Sequence, residues 1–343
     1  MLAHTDLGVV RTSTIRGLAT SMCNTKYAER PVDSNADVRN SIPSFESEAV
    51  PGTIPHGQNS PRNVRFGLYA EQITATAFVA PRHQNKKAWL YRVRPSVAHQ
   101  GFVCFQLALK VTFDILTFIA QTELPDNKDT ESNFLPLNPS IHVSPTQLAW
   151  HPFEIPDPRS GEVDFIAGLK TIAGSGDPTL REGIATHIYV ANASMKNKAF
   201  VNSDGEFVIV PQQGALNIQT EFGPIFVQPG EIFVIQRGLR FRVELPDGPS
   251  RGYILEVWGT TFELPELGPL GANGLANARD FLTPTAQYEV TQDHWEIVYK
   301  LGGKFFRSIQ NHSPFDVVAW HGNYVCSLLA PAILPDLLQF NFN

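Results

Sequence analysis

Cysteine is scarce in this chain. Cys23, Cys104 and Cys326 are widely separated and odd in number, so neither a disulfide framework nor a Cys-x-x-Cys zinc site is available. That favours a reducing compartment, and the expected location is cytoplasmic. Charge is also sparse. Charged residues make up 17% of the chain, the net charge is −6, and no stripe of Lys and Arg appears, which argues against a nucleic-acid partner. The longest apolar run, Val103 to Ala120, is interrupted by Gln106, Lys110 and Asp114, so no membrane span is expected. Phosphate loops, His-Glu-x-x-His zinc pairs and Gly-x-Ser-x-Gly nucleophile elbows are all missing. No secretory signal is visible, so the Asn192-Ala193-Ser194 and Asn311-His312-Ser313 sequons carry no chemistry. Residues 1–40 are expected to be a disordered leader. Arg11 and Arg16 with the single acid Asp6 before Met22 give it a faint presequence character.

What is present is the pattern of a β protein. Residues 45–61 are crowded with Pro, Gly, Ser and Asn and predict an extended N-terminal arm that wraps a later body. Between Thr186 and Thr260, apolar runs alternate with the turn pairs Asp204-Gly205, Gln213-Gly214, Phe222-Gly223, Pro229-Gly230, Arg237-Gly238 and Asp247-Gly248, spaced seven to ten residues apart. That spacing suits strands of a sandwich and not helices. Phe207-Val208-Ile209-Val210 and Ile232-Phe233-Val234-Ile235 are continuous apolar runs, as expected of strands covered on both faces. The predicted fold is all-β, a cupin-like jelly-roll sandwich with few helices.

Non-heme iron requires two histidines and a carboxylate on one face of the metal. His294, His312, His321, Glu289 and Asp316 are the conceivable members, but no His-x-His pair occurs to place neighbouring ligands on one strand. Pro229-Gly230-Glu231 followed by Gly238 resembles the second cupin motif, whose strand usually carries a histidine ligand. Phe233, Val234 and Ile235 stand there instead, and apolar side chains do not bind metal. Asp204-Gly205 and Arg237-Gly238 read as hairpin turns. In Trp320-His321-Gly322-Asn323-Tyr324, a histidine between aromatic residues and a glycine suits a pocket wall, and imidazole can take a proton from a phenol near neutral pH.

Several long blocks then resemble the homogentisate 1,2-dioxygenase family. They are 48–61, 67–72, 89–96, 202–205, 234–238, 252–256, 268–277 and 313–324. The resemblance implies an Fe(II)-dependent enzyme that inserts both atoms of O2 into homogentisate, giving maleylacetoacetate in phenylalanine and tyrosine catabolism. It further implies a cytosolic, trimer-based homo-oligomer, and it puts His321 in the place of the family's proton-accepting histidine. The family's iron ligands and a substrate contact belong to a later half. The expectation is therefore a truncated chain, inactive as written, with His321 as its catalytic residue and no metal ligand of its own.

The domain expected from the resemblance is 41–324, interrupted by an insert at 103–121 and followed by an aberrant tail at 325–343. Both segments open on Val-Cys, which the intron opening GTATGT encodes when read in frame, and Gln121 fits an intron ending. Both are therefore read as retained introns. The alternative function is a non-catalytic cupin-like subunit or interaction module that joins oligomers of a complete paralogue. An unrelated sugar-binding cupin would need ligands inside the sandwich, where residues 186–260 offer only His187.

Overall fold

The computed structural model describes residues 45–55, 64–104, 129–263, 269–270, 274–275 and 281–329, apart from 78, 147–148, 158 and 160. The leader 1–40, most of the segment 103–121 and most of the tail 325–343 lie outside the described residues.

The arm contributes β1 (Phe45–Glu48), β2 (Tyr69–Thr74) and β3 (Lys87–Arg92). A two-residue strand β4 (Val103–Cys104) and the longer β5 (Leu169–Asp177) follow. The body begins with β6 (Glu182–Ala191), β7 (Lys198–Asn202), β8 (Gly205–Gln213) and β9 (Leu216–Thr220). It continues through β10 (Gly223–Val227), β11 (Ile232–Ile235), β12 (Arg240–Glu244) and β13 (Ser250–Trp258). These eight strands pair as a nested series: β9 with β10, β8 with β11, β7 with β12 and β6 with β13. Nested pairing of a folded-over hairpin, shared between two sheets, is the jelly-roll topology.

The turn pairs are where the sequence predicts them, but five of the six are not hairpins. Only Phe222-Gly223 links strands that pair with each other, β9 and β10. Asp204-Gly205 and Arg237-Gly238 carry the chain from one sheet to the other, which corrects their reading as hairpin turns. At the second of these corners the backbone turns left-handed, with Gly238 at φ +87°.

After β13 come the short β14 (Pro269–Leu270), β15 (Gly274–Leu275) and β16 (Phe281–Leu282). Next are β17 (Trp295–Leu301), β18 (Lys304–Gln310), β19 (Val317–Gly322) and β20 (Ser327–Leu329). The front sheet runs β16-β20-β11-β8-β13-β6-β5, and the back sheet runs β10-β9-β12-β7-β17-β18-β4. Between them Phe200, Phe207, Ile209, Ile218, Phe233 and Phe241 are buried in one core. Both ends of these segments join the sheets: β4, which opens on Val103, extends the back sheet beside β18, and β20, two residues after Val325, pairs with β11 and β16 while Cys326 is fully buried.

The arm is more than a wrap. β1, β2 and β3 join β19 in a separate four-stranded sheet of order β1-β19-β3-β2. The inner face of this arm sheet carries Leu90 and Trp320 into the main core, where Trp320 Nε1 donates to Phe222 O at 2.7 Å. Its outer face carries Tyr91 and Ala319 in a smaller apolar cluster with Leu68 and Val318. The described helical segments are single 3-10 turns such as Arg65–Gly67 and Pro178–Leu180.

Candidate functional site

The register of the arm sheet fixes where His321 points. His321 lies opposite Trp89 on β3 and Glu46 on β1, one residue beyond the inward Trp320, so the strand alternation puts it on the outer face. Its ring lies nearly parallel to that of Tyr91, at 18° with centroids 5.8 Å apart, and Nε2 is 3.0 Å from Tyr91 Oη. The imidazole is half-buried. Burial, with Lys87 nearby, holds its pKa below the usual value, so the ring is neutral at pH 7. Tyr91 is buried, and burial pushes its phenol up to about 12. A neutral, partly accessible imidazole with one neutral partner is able to exchange a proton with a ligand.

The other sequence candidates do not gather around it. His294 is exposed. His312 is buried, and burial together with Arg94, Arg92 and Arg240 pushes its pKa down to about 4. Asp316 accepts from Arg92 Nε at 3.0 Å, from Arg92 Nη2 at 2.8 Å and from the Arg94 amide at 2.7 Å, which occupies both of its oxygens. Glu289 is 3.4 Å from Arg242. Among the described residues no three His, Cys, Asp or Glu side chains converge as a metal site, and the residues present do not fit an iron ion. Phe233 and Ile235, at the positions of the second cupin motif, are core residues.

Two buried ionic groups escape sequence reading. In the sandwich, Lys300 Nζ lies 2.8 and 3.0 Å from the Glu256 oxygens and 3.0 Å from Asp204 Oδ2. Glu256 also accepts from Asn202 and contacts His187 Nε2, while Asp204 accepts from the amides of Gly302 and Gly303 in the β17–β18 turn. Burial alone would raise Glu256, but Lys300 and His187 hold it at about 2. The cluster binds β17 of the back sheet to β13 and β6 of the front sheet, a role for staples and not for chemistry. The second group joins the arm to the body: Arg92 meets Asp316, Glu221 and Glu71, and Arg240 shares Glu221. The only hint of either in the sequence is a charged residue at an inward strand position, as Lys300 is in β17.

A family model described as "Homogentisate 1,2-dioxygenase N-terminal" matches residues 41–114 and 111–328. The two matched pieces meet at 111–114, within the stretch read as an insert, and the second runs past Tyr324 into β20. Curated relatives named "Homogentisate 1,2-dioxygenase" include those of Oryza sativa subsp. japonica, 50% identical over 283 residues, and Dictyostelium discoideum, 51% identical over 283 residues. Each alignment covers 82% of this chain and 56% or 59% of the relative, so the chain spans little more than half of their length. Among solved structures, a cupin-2 domain containing protein of Shewanella frigidimarina is 19% identical over 26% of this chain and 78% of its own, with a TM-score of 0.22.

Proposed function

Because the chain belongs to the homogentisate 1,2-dioxygenase N-terminal family, we propose that it is the β-sandwich half of an enzyme that opens the ring of homogentisate with O2 to give maleylacetoacetate. The process served is phenylalanine and tyrosine breakdown, the location cytoplasmic and the assembly a trimer-based homo-oligomer. The observation that carries the reading is His321: half-buried, neutral, and bonded among the described residues at one nitrogen only. Its role is to accept the phenolic proton of the substrate. A phenol titrates near about 10 and an imidazole near about 6.5, so the proton moves only when the phenolate gains stabilisation elsewhere. No described residue is assigned that task, and none is assigned to iron. The insert and tail are proposed to be retained introns; that the family match is split into two pieces overlapping at 111–114 supports an interruption at the first.

The outer face of the front sheet favours the second reading, an interaction module. Ile184, Ile188, Val208, Val234, Tyr253 and Leu255 alternate with core residues and form a largely apolar surface, with Ile184 45% and Tyr253 39% exposed. Sheet faces of this composition mark docking or aggregation.

Oxygen uptake with homogentisate, measured together with iron content, separates the readings. The full-length protein, carrying the additional segment of its relatives, is expected to bind iron and consume oxygen. A full-length protein that does neither, yet assembles with an active paralogue, would leave the interaction module standing.

A further inference from the structure

The face that presents His321 also carries a cation that nothing neutralises. Along β3, Ala88 and Leu90 turn into the main core, so Lys87, Trp89 and Tyr91 lie on the outer face. His321 stands opposite Trp89 in the register, which makes Lys87 and Tyr91 its two diagonal neighbours on that face. Diagonal neighbours lie about 7–8 Å apart, within reach of a long side chain, and Tyr91 does reach the imidazole. The backbone of Lys87 is fixed: its amide donates to Asn323 Oδ1 at 2.9 Å and its carbonyl accepts from Asn323 N at 3.0 Å. Its side chain is half-buried, and among the described residues its ammonium has no hydrogen bond or ion pair. The acids of the same face do not supply one. Glu46 is exposed on β1, on the other side of His321, and the two oxygens of Glu48 accept from the amides of Gly52 at 2.7 Å and Ile54 at 2.6 Å. Gln72 and Thr74, outward on β2, are neutral. An unpaired, partly desolvated ammonium is under-satisfied, and an anionic ligand at this face would satisfy it.

We propose that Lys87 anchors the carboxylate of the substrate: the ligand of this face is an aromatic acid, laid with its ring beside His321 and its carboxylate on the Lys87 ammonium. The inference rests on the dioxygenase reading of the His321 face and deepens it. Homogentisate is a phenylacetate, and its one charged group at pH 7 is a carboxylate. Nothing here depends on which ring nitrogen of His321 holds the hydrogen. A point charge on a flexible four-carbon stem can follow a carboxylate carried on a short arm, while an uncharged analogue of the same ring gives it nothing to hold.

The test is steady-state oxygen uptake by the full-length protein with homogentisate and with its amide, which keeps the ring and loses the charge. Lys87→Met is expected to raise KM for homogentisate by about 10- to 100-fold, the equivalent of one hydrogen bond to a charged group, with kcat and iron content near those of wild type. KM for the amide is expected to be the same in both proteins, and Lys87→Arg should recover most of the loss. In wild type alone, KM for the amide should exceed that for the acid by a similar factor. An unchanged KM for homogentisate in Lys87→Met overturns the inference. So does an equal rise for acid and amide, which marks a structural role. A full-length protein that takes up no oxygen sinks the dioxygenase reading separately, and anaerobic calorimetry with homogentisate then decides. Binding weakened by about 10-fold or more in Lys87→Met supports the anchor; no binding, or equal binding by both proteins, overturns it.

Discussion

His187 and His321 are both strand histidines, and their surroundings separate structure from chemistry. His187 is 2% exposed, with Nδ1 2.9 Å from Thr171 Oγ1 and Nε2 3.0 Å from Glu256 Oε2, so both nitrogens are occupied inside an ionic cluster. Among the described residues His321 has one neutral partner, and its other nitrogen is left without one at a half-buried face. A histidine whose two nitrogens are both taken by groups inside a buried cluster leaves neither of them for a ligand. A histidine wired at one end keeps a position for a ligand. The number and charge of partners, more than burial alone, distinguishes the two roles.

The comparison is broken most severely at Lys300. Lys300→Met leaves Glu256 and Asp204 buried without their cation, and breaking a buried pair in this way costs about 3–5 kcal/mol. Urea unfolding should show it; a loss near zero would mean the cluster is not the staple described. Removing His187 by substitution with alanine should cost about 1–3 kcal/mol, because Glu256 loses one of several donors. His321→Ala should cost less, at the low end near about 1 kcal/mol, because it orphans one neutral hydroxyl and leaves no buried charge short of a donor. Equal losses at the two histidines would erase the distinction between them.

A subtler test uses pH. Burial pushes Glu206 up to about 7 against the carboxyl's usual 4.5, even though Tyr324 Oη donates to it at 2.6 Å and the Phe262 amide at 2.7 Å. A raised carboxyl contributes stability at low pH that is lost as pH rises from 4.5 through about 7. His312, lowered from 6.5 to about 4, acts oppositely: its contribution is complete above 6.5 and lost as pH falls toward 4. The two slopes oppose each other between 4.5 and 6.5. Glu206→Gln should therefore make stability rise more steeply with pH across that window, and His312→Gln should make it fall relative to wild type. Chemical denaturation at several pH values checks both signs.

Much of the fold was legible in the sequence because a strand leaves a local record. Turn pairs every seven to ten residues predicted the sandwich, and Phe233 and Ile235 sit in the core as apolar runs should. Which sheet each strand joins was not legible, since a corner between sheets and a hairpin turn both call for glycine. The arm sheet was hidden for another reason: pairing Phe45 with Gly322 is a contact between distant parts of the chain that no local pattern encodes. His321 stood out in Trp320-His321-Gly322-Asn323-Tyr324. Tyr91 did not, although it lies in one of the blocks that carry the family resemblance, because its contact with His321 depends on β3 lying beside β19. Nothing in the sequence ties Lys300, Asp204 and Glu256 together, because they meet only when the two sheets pack.

The most direct test of the role given to His321 is turnover of homogentisate by His321→Ala in the full-length protein, with iron content measured in the same preparation. A positioned proton acceptor that is not a ligand predicts a fall of about 100- to 10,000-fold in turnover with iron content near that of wild type. Unchanged turnover, or loss of the iron, would contradict it.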